Sequence, residues 1–231
     1  MLFTRRGVLT KLGALLAAGL FGKQALAAVT TGGAGSANPY HVPGDLIYDN
    51  TYWDDCRLVP GGFRFAGASD PTLVDWQPGG SGATFKVYEF GKNDEAFGTA
   101  QLSHRYKLGT DLYFHAHWTP GPNGAAENGN LVGWKIDYSI ISFGGTFVAS
   151  STVDLSDACQ GTAHENLITP DVQVSGTGLG ISSIAAIRIY RSDTGADDTW
   201  SGTATGSLPL LLEFDIHFEI DEPGSSDRVV K

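Results

Sequence analysis

Apolar and polar residues alternate along this chain with a period of two, in short runs broken by clusters of Gly, Pro, Asn and Asp. An extended strand turns successive side chains to opposite faces, so this spacing predicts β-strands with one face in a core and one in water. Strands are predicted at residues 62–66, 84–90, 101–106, 111–118, 132–141, 146–155, 184–191 and 210–220. After Pro43 no stretch sustains the 3.6-residue apolar spacing of a helix. The predicted fold class is all-β: a single antiparallel β-sandwich or jelly roll, with 31 glycines punctuating the chain. No internal repeat is visible, which argues against a solenoid or a propeller. In Trp134–Ile140 the residues Trp134, Ile136, Tyr138 and Ile140 share one face, and Lys135, Asp137 and Ser139 the other. Ile184–Tyr190 is apolar at nearly every position except Arg188, the pattern of a strand covered on both sides by a second sheet or another subunit.

The N-terminal pattern differs in kind. Arg5 and Arg6 precede an apolar stretch from Leu12 to Gly22, and Ala25-Leu26-Ala27 follows as a small-x-small cleavage signal. That order is a twin-arginine export leader over residues 1–27. Its apolar stretch is about half of the ~20 residues that a membrane span needs. The expectation is an exported protein, periplasmic, cell-surface or extracellular; a leader that stays attached would serve instead as an apolar arm. Residues 28–50 read as a flexible linker, since Thr30 to Pro43 is rich in Gly, Ala, Ser, Asn and Pro. Residues 51–231 are the β-sandwich domain.

Charge narrows the partners. The whole chain carries −10, and residues 1–27 hold four cations and no acid, so the remaining 204 residues carry −14. An acidic surface without a Lys/Arg cluster repels phosphate backbones and anionic lipid heads, so nucleic acid is excluded as a partner, and so is membrane once the leader is removed. The only cysteines, Cys56 and Cys159, can form one disulfide in an oxidising destination or remain two small buried thiols.

The candidate chemistry lies on two strands. Alternation in Phe114-His115-Ala116-His117-Trp118 puts His115 and His117 on one face roughly 7 Å apart. In Glu213–Glu219, Phe214, Ile216 and Phe218 point one way and Glu213, Asp215, His217 and Glu219 the other. If the two strands pair, His115, His117, His217 and Asp215 meet. Neutral imidazoles with a carboxylate suit zinc or another divalent transition metal; the same residues also suit a hydrogen-bonded polar stripe. Asp193-Thr194-Gly195-Ala196-Asp197-Asp198 offers three carboxylates for calcium, but its spacing is not that of an EF-hand and a solvated turn is the simpler reading. Gly176-Thr177-Gly178-Leu179-Gly180 lacks the following helix of a phosphate-binding loop and reads as a connection.

Glu213-Phe214-Asp215-Ile216 resembles the start of the Glu-x-Asp-x-Glu active-site strand of jelly-roll glucanases, with His217 in the last Glu position. The next acid on that face, Glu219, lies roughly 20 Å from Glu213 along an extended strand, beyond the ~5–9.5 Å of either glycosidase geometry. No Gly-x-Ser-x-Gly elbow or cysteine nucleophile motif occurs, so no complete catalytic motif is present and a non-enzymatic protein is expected.

Several blocks together resemble a family of bacteriophage virion proteins of structural or tail-fibre-like type. They are Trp53-Asp54-Asp55 with Arg57, Leu112 to Pro120, Trp134 to Tyr138, Gly180 to Ser183 with Arg188 to Arg191, and Leu211 to Phe218. The resemblance implies a non-enzymatic, self-assembling β-module, a homotrimer displayed on a virion or particle surface beside other virion or surface proteins. It supplies no catalytic residues. Such phage proteins do not ordinarily need an export leader, so a cell-encoded secreted relative stays open. With His115, His117 and His217 near a threefold axis, a shared metal would lock such a trimer. The alternative function is an exported jelly-roll carbohydrate-binding domain or glycoside hydrolase, for which Trp53, Trp76, Trp118 or Trp200 would line a groove.

Overall fold

In a computed structural model, described over residues 51–225, 227 and 228, the alternating runs form strands and the chain folds as an antiparallel β-sandwich. The expected leader and arm, residues 1–50, lie outside the described residues. Among the described residues no helix is long and apolar enough to cross a membrane.

The larger sheet is built on two long central strands, β5 (Leu112–Thr119) and β13 (Leu210–Ile220). Their register sets Asp215 opposite His115, His217 opposite Tyr113 and Glu213 opposite His117. Beyond β13 lie β1 (Tyr52–Leu58) and β3 (Phe85–Glu89), the latter continued by β2 (Thr72–Trp76). Beyond β5 lie the short β10 (Leu167–Ile168) and β11 (Val172–Val174). The second sheet runs β4 (Glu95–Gln101), β12 (Ile184–Arg191), β7 (Trp134–Ile141), β8 (Ser151–Asp154). A two-stranded ladder, β6 (Leu131–Val132) with β9 (Asp157–Ala158), closes one side.

The core lies between the two sheets. Leu112, Phe114, Ala116 and Trp118 of β5 and Phe214, Ile216 and Phe218 of β13 are buried together with Trp134, Ile136, Ile187 and Ile189 of the second sheet. Phe114 meets Phe214 within its sheet and Tyr138 across the gap, both edge to face at about 5.4 Å and 5.3 Å, a favoured aromatic geometry. Gly98 of β4 marks a close approach, since a Cβ there would stand 2.6 Å from Leu58 Cδ2 of β1.

The extra residue Leu212 makes a bulge in β13 between Leu211 and Glu213. A bulge inserts one residue and resets the alternation beyond it. Leu210 and Leu211 are thereby buried before the bulge, while after it Glu213, Asp215, His217 and Glu219 turn to the outer face.

Several local expectations change. Residues 62–66 and 101–106 are not strands: a 3-10 turn at Pro60–Gly62 precedes a single bridge at Arg64, and β4 ends at Gln101. Residues 146–150 are likewise outside β8. β12 alternates buried and half-buried residues instead of being covered on both sides. Its outer face is closed electrostatically, Arg188 pairing with Glu95 at 2.5 Å and Asp137 at 2.7 Å. Cys56 and Cys159 are both free thiols.

Candidate metal centre and aromatic cleft

Pairing of β5 with β13 and of β13 with β1 turns three alternating sequences into one patterned surface. On the outer face of the larger sheet stand Tyr113, His115 and His117 of β5, then Glu213, Asp215, His217 and Glu219 of β13, then Trp53, Asp55 and Arg57 of β1. The opposite face of the same strands is core, so this outer face is free to carry polar chemistry.

At its centre three ligating atoms converge. His115 Nε2 lies 3.2 Å from His117 Nε2 and 3.4 Å from Asp215 Oδ2, and His117 Nε2 lies 3.2 Å from the same oxygen. His115 and Asp215 are each only 3% exposed, whereas the His117 side chain is 24% exposed and opens the group to solvent. The other carboxylate oxygen, Asp215 Oδ1, is buried with no hydrogen-bond partner. Desolvation of such an oxygen is costly unless a partner compensates it.

Two carboxylates orient the rings from behind. His115 Nδ1 is 3.0 Å from Asp171 Oδ1, on the loop between β10 and β11. A carboxylate can only accept, so this contact places a proton on Nδ1; the neutral ring then presents its Nε2 lone pair to the convergence point, whereas the imidazolium donates from Nε2 to Asp215. His217 Nε2 is held 2.9 Å from Asp55 Oδ1, directly across from it on β1. The His217 ring stands edge to face against His115 at 4.3 Å between centroids. Burial alone would pull His115 below the ordinary imidazole range, but the carboxylates of Asp215 and Asp171 outweigh it and raise its pKa overall.

All four residues expected to meet do share this face. His115, His117 and Asp215 form the tight triangle, and His217 offers a ligand atom within 4.8 Å of those of His115 and Asp215. The contacts close within one chain. Asp171 and Asp55 were not singled out from the sequence. Asp55 follows Asp54 and the two adjacent acids interrupt the alternation of their strand, while Asp171 sits in a loop, so neither had a local signal.

Beside this centre lies an open concavity of about 570 Å³ lined by Trp53, Tyr113, Asp171 and His217. Trp53 is 49% exposed and meets Tyr113 edge to face at 5.4 Å. Of the remaining charged groups on this face, Glu213 is engaged bidentately by Arg57, both contacts at 2.6 Å, and Glu219 by Lys107 at 2.8 Å.

The other candidates have structural partners. Trp118 and Trp200 are buried, donating to Asp157 and to the Ser207 carbonyl, each at 2.9 Å. Trp76 lines a second hollow of about 250 Å³ and donates to His164 Nδ1 at 3.0 Å. In the acidic loop Asp198 pairs with Arg191, Asp197 with Lys135 and Asp193 with Asn93. Gly176 is pinned against Thr110 and Tyr106, where a Cβ would lie 1.7 Å from the Thr110 carbonyl oxygen.

No protein-family model matches the chain, and curated proteins give no match. Among solved structures, a family GH115 4-O-methyl-α-glucuronidase with specificity for decorated arabinogalactans aligns at a TM-score of 0.35 and 9% identity over 71% of this chain. The chain spans 17% of that protein's length. TmCBM61, solved in complex with β-1,4-galactotriose, aligns at a TM-score of 0.27 and 12% identity, over 74% of this chain and 88% of the other. Neither likeness bears on the site.

Proposed function

We propose that this protein is a carbohydrate-binding β-sandwich that acts after export and holds a neutral glycan on the outer face of its larger sheet. The observation that carries this reading is the exposed Trp53 ring, paired with Tyr113, in an open concavity rimmed by Asp171 and His217. The C–H face of a pyranose packs on an aromatic ring, and its hydroxyls find partners among flanking carboxylate and imidazole groups. The acidic balance of the chain disfavours anionic polysaccharides. Binding is favoured over hydrolysis because Glu213 and Glu219 are tied to Arg57 and Lys107, leaving no free acid–base pair between them. The order of Arg5-Arg6, an apolar stretch and Ala25-Leu26-Ala27 supports a place outside the cytoplasm.

The test is retardation of the protein in gels containing neutral polysaccharides, followed by calorimetry on the best oligosaccharide. Trp53→Ala is expected to weaken binding at least about tenfold with an unchanged melting temperature, the scale of one lost stacking contact. Absence of binding to every neutral glycan overturns the reading.

A second reading, self-assembly as a surface or virion structural protein, is favoured by one observation. The segment joining β7 and β8 exposes Phe143, Phe147 and Val148, Phe143 to 72%, and β8 has a partner on one side only. Apolar groups and an open strand edge at one place are the ingredients of subunit docking. Light scattering that finds a trimer in the wild type and a monomer in Phe143→Ser supports it; a monomeric wild type removes it.

A further inference from the structure

We infer that His115, His117 and Asp215 form a binding site for one divalent transition-metal ion, zinc foremost. Nε2, Nε2 and Oδ2 supply three ligands, and the fourth position is left to His217, water or an incoming ligand. The site adjoins the aromatic cleft through Asp171, but its three ligands do not line that cleft and the inference does not depend on the glycan reading.

The first argument is metric. Zinc takes imidazole nitrogen at ~2.0–2.1 Å and carboxylate oxygen at ~2.0–2.2 Å in tetrahedral geometry, which requires ligand atoms about 3.3–3.5 Å apart. The triangle here has edges of 3.2, 3.4 and 3.2 Å.

The second argument is the inventory of protons. With Nδ1 of His115 donating to Asp171, the neutral ring presents a lone pair at Nε2, the form in which it can ligate a metal. That lone pair faces a carboxylate oxygen and a second imidazole nitrogen, so electron-rich atoms outnumber the hydrogens that can sit between them. A cation at the centre resolves the crowding. It also improves the surroundings of Asp215 Oδ1, the buried oxygen without a hydrogen bond.

The third argument is the supporting shell. Metal-bound histidines characteristically donate their other ring N–H to a carboxylate or carbonyl, which fixes tautomer and orientation. Asp171 does this for His115, which makes it a positioning residue. His217 stands beside the triangle: Asp55 holds its Nε2 at 2.9 Å, it offers a ligand atom within 4.8 Å of those of His115 and Asp215, and its packing against His115 steadies that ring. Two nitrogens with one oxygen suit zinc and its neighbours in the transition series better than calcium or magnesium, which prefer all-oxygen shells. The partly exposed His117 gives the ion a way in, and the acidic face concentrates cations around it.

The experiment uses the full chain without an affinity tag, stripped with chelator and titrated with Zn²⁺ by calorimetry, with Co²⁺ as a spectroscopic stand-in. The expected result is one ion per chain, reversed by chelator, with the intense visible bands of four-coordinate cobalt and a rise in melting temperature with Zn²⁺. His117→Ala and Asp215→Asn should weaken binding by at least about a hundredfold, and Asp171→Asn by about 10–100-fold as a supporting-shell change. His104→Ala, away from the site and bonded to Ser182 and Ser225, should leave it unchanged. The inference is overturned if the wild type takes up no stoichiometric ion, or if His117→Ala and Asp215→Asn bind as tightly as the wild type. Should a variant fail to fold, the wild-type stoichiometry and cobalt spectrum still decide the matter. Loss of glycan binding in Trp53→Ala with metal uptake intact would separate the two sites.

Discussion

Two buried clusters of charge face different fates in this fold. Arg191 and Asp198 form a closed pair: Nε and Nη2 of the guanidinium donate to the two carboxylate oxygens at 2.7 and 2.8 Å, Nη1 donates to the Phe90 carbonyl, and the Gly133 amide donates to Asp198. Donors and acceptors match, and both side chains are almost fully buried. His115 and Asp215 are buried comparably and His117 partly, yet their ligating atoms crowd one point and an oxygen of Asp215 goes without a partner. A cluster that satisfies itself serves the fold. One that converges on a point and remains unsatisfied is shaped for something to be added.

The largest effect should come from breaking the closed pair. Arg191→Met leaves the buried Asp198 carboxylate with only the more distant Lys92, at 3.6 Å, as a counter-charge, and should cost about 3 kcal/mol of stability in urea unfolding. Next comes Glu127, whose carboxylate accepts from the Ser201 amide and hydroxyl, the Gly202 amide and Asn130. Burial alone would raise its pKa, but these donors outweigh burial and hold the carboxyl below its ordinary value of 4.5. Glu127→Gln should cost about 1–3 kcal/mol at neutral pH. A depressed folded pKa means this contribution is present above about pH 4.5 and is lost as the pH falls through the folded value, so wild type and variant should converge in acid melts.

A smaller effect sharpens the contrast. In chelator, Asp215→Asn should change stability by no more than about 1 kcal/mol, because it removes a charge from a cluster that is not closed, while abolishing any gain from Zn²⁺. A loss as large as that of Arg191→Met would show the cluster to be structural after all. The last check leaves stability untouched. Burial pushes the Cys56 thiol up to about 11, so in the native protein at pH 8 a disulfide reagent should modify it about tenfold more slowly than a thiol of ordinary pKa, the smaller thiolate fraction being partly offset by a more nucleophilic thiolate.

What the sequence disclosed followed from its period. β5 and the part of β13 after Leu212 alternate strictly, and their odd and even positions put His115 with His117 and Asp215 with His217, to meet if the two strands paired. β4 was missed because Gly98 and small neighbours blur its pattern, and Gly98 is small because Leu58 occupies the space of its side chain. β1 was missed because two adjacent acids, Asp54 and Asp55, interrupt its alternation, and with it went the partner of His217. Asp171 was invisible for a different reason: it is brought to His115 by pairings on either side of its loop, Ile168 with His117 and Val172 with Phe114, contacts between residues some fifty apart in sequence that no local pattern encodes.

The bulge at Leu212 has a consequence for how this surface can change over time. Downstream of it, residues 213, 215, 217 and 219 form a cassette: each can be exchanged without disturbing the apolar residues alternating with them, provided that Leu212 stays. Loss of that single leucine would throw the two halves of the strand out of phase and drive either carboxylates inward or leucines outward. Substitution is therefore the tolerated route to new specificity on this face, and deletion the forbidden one.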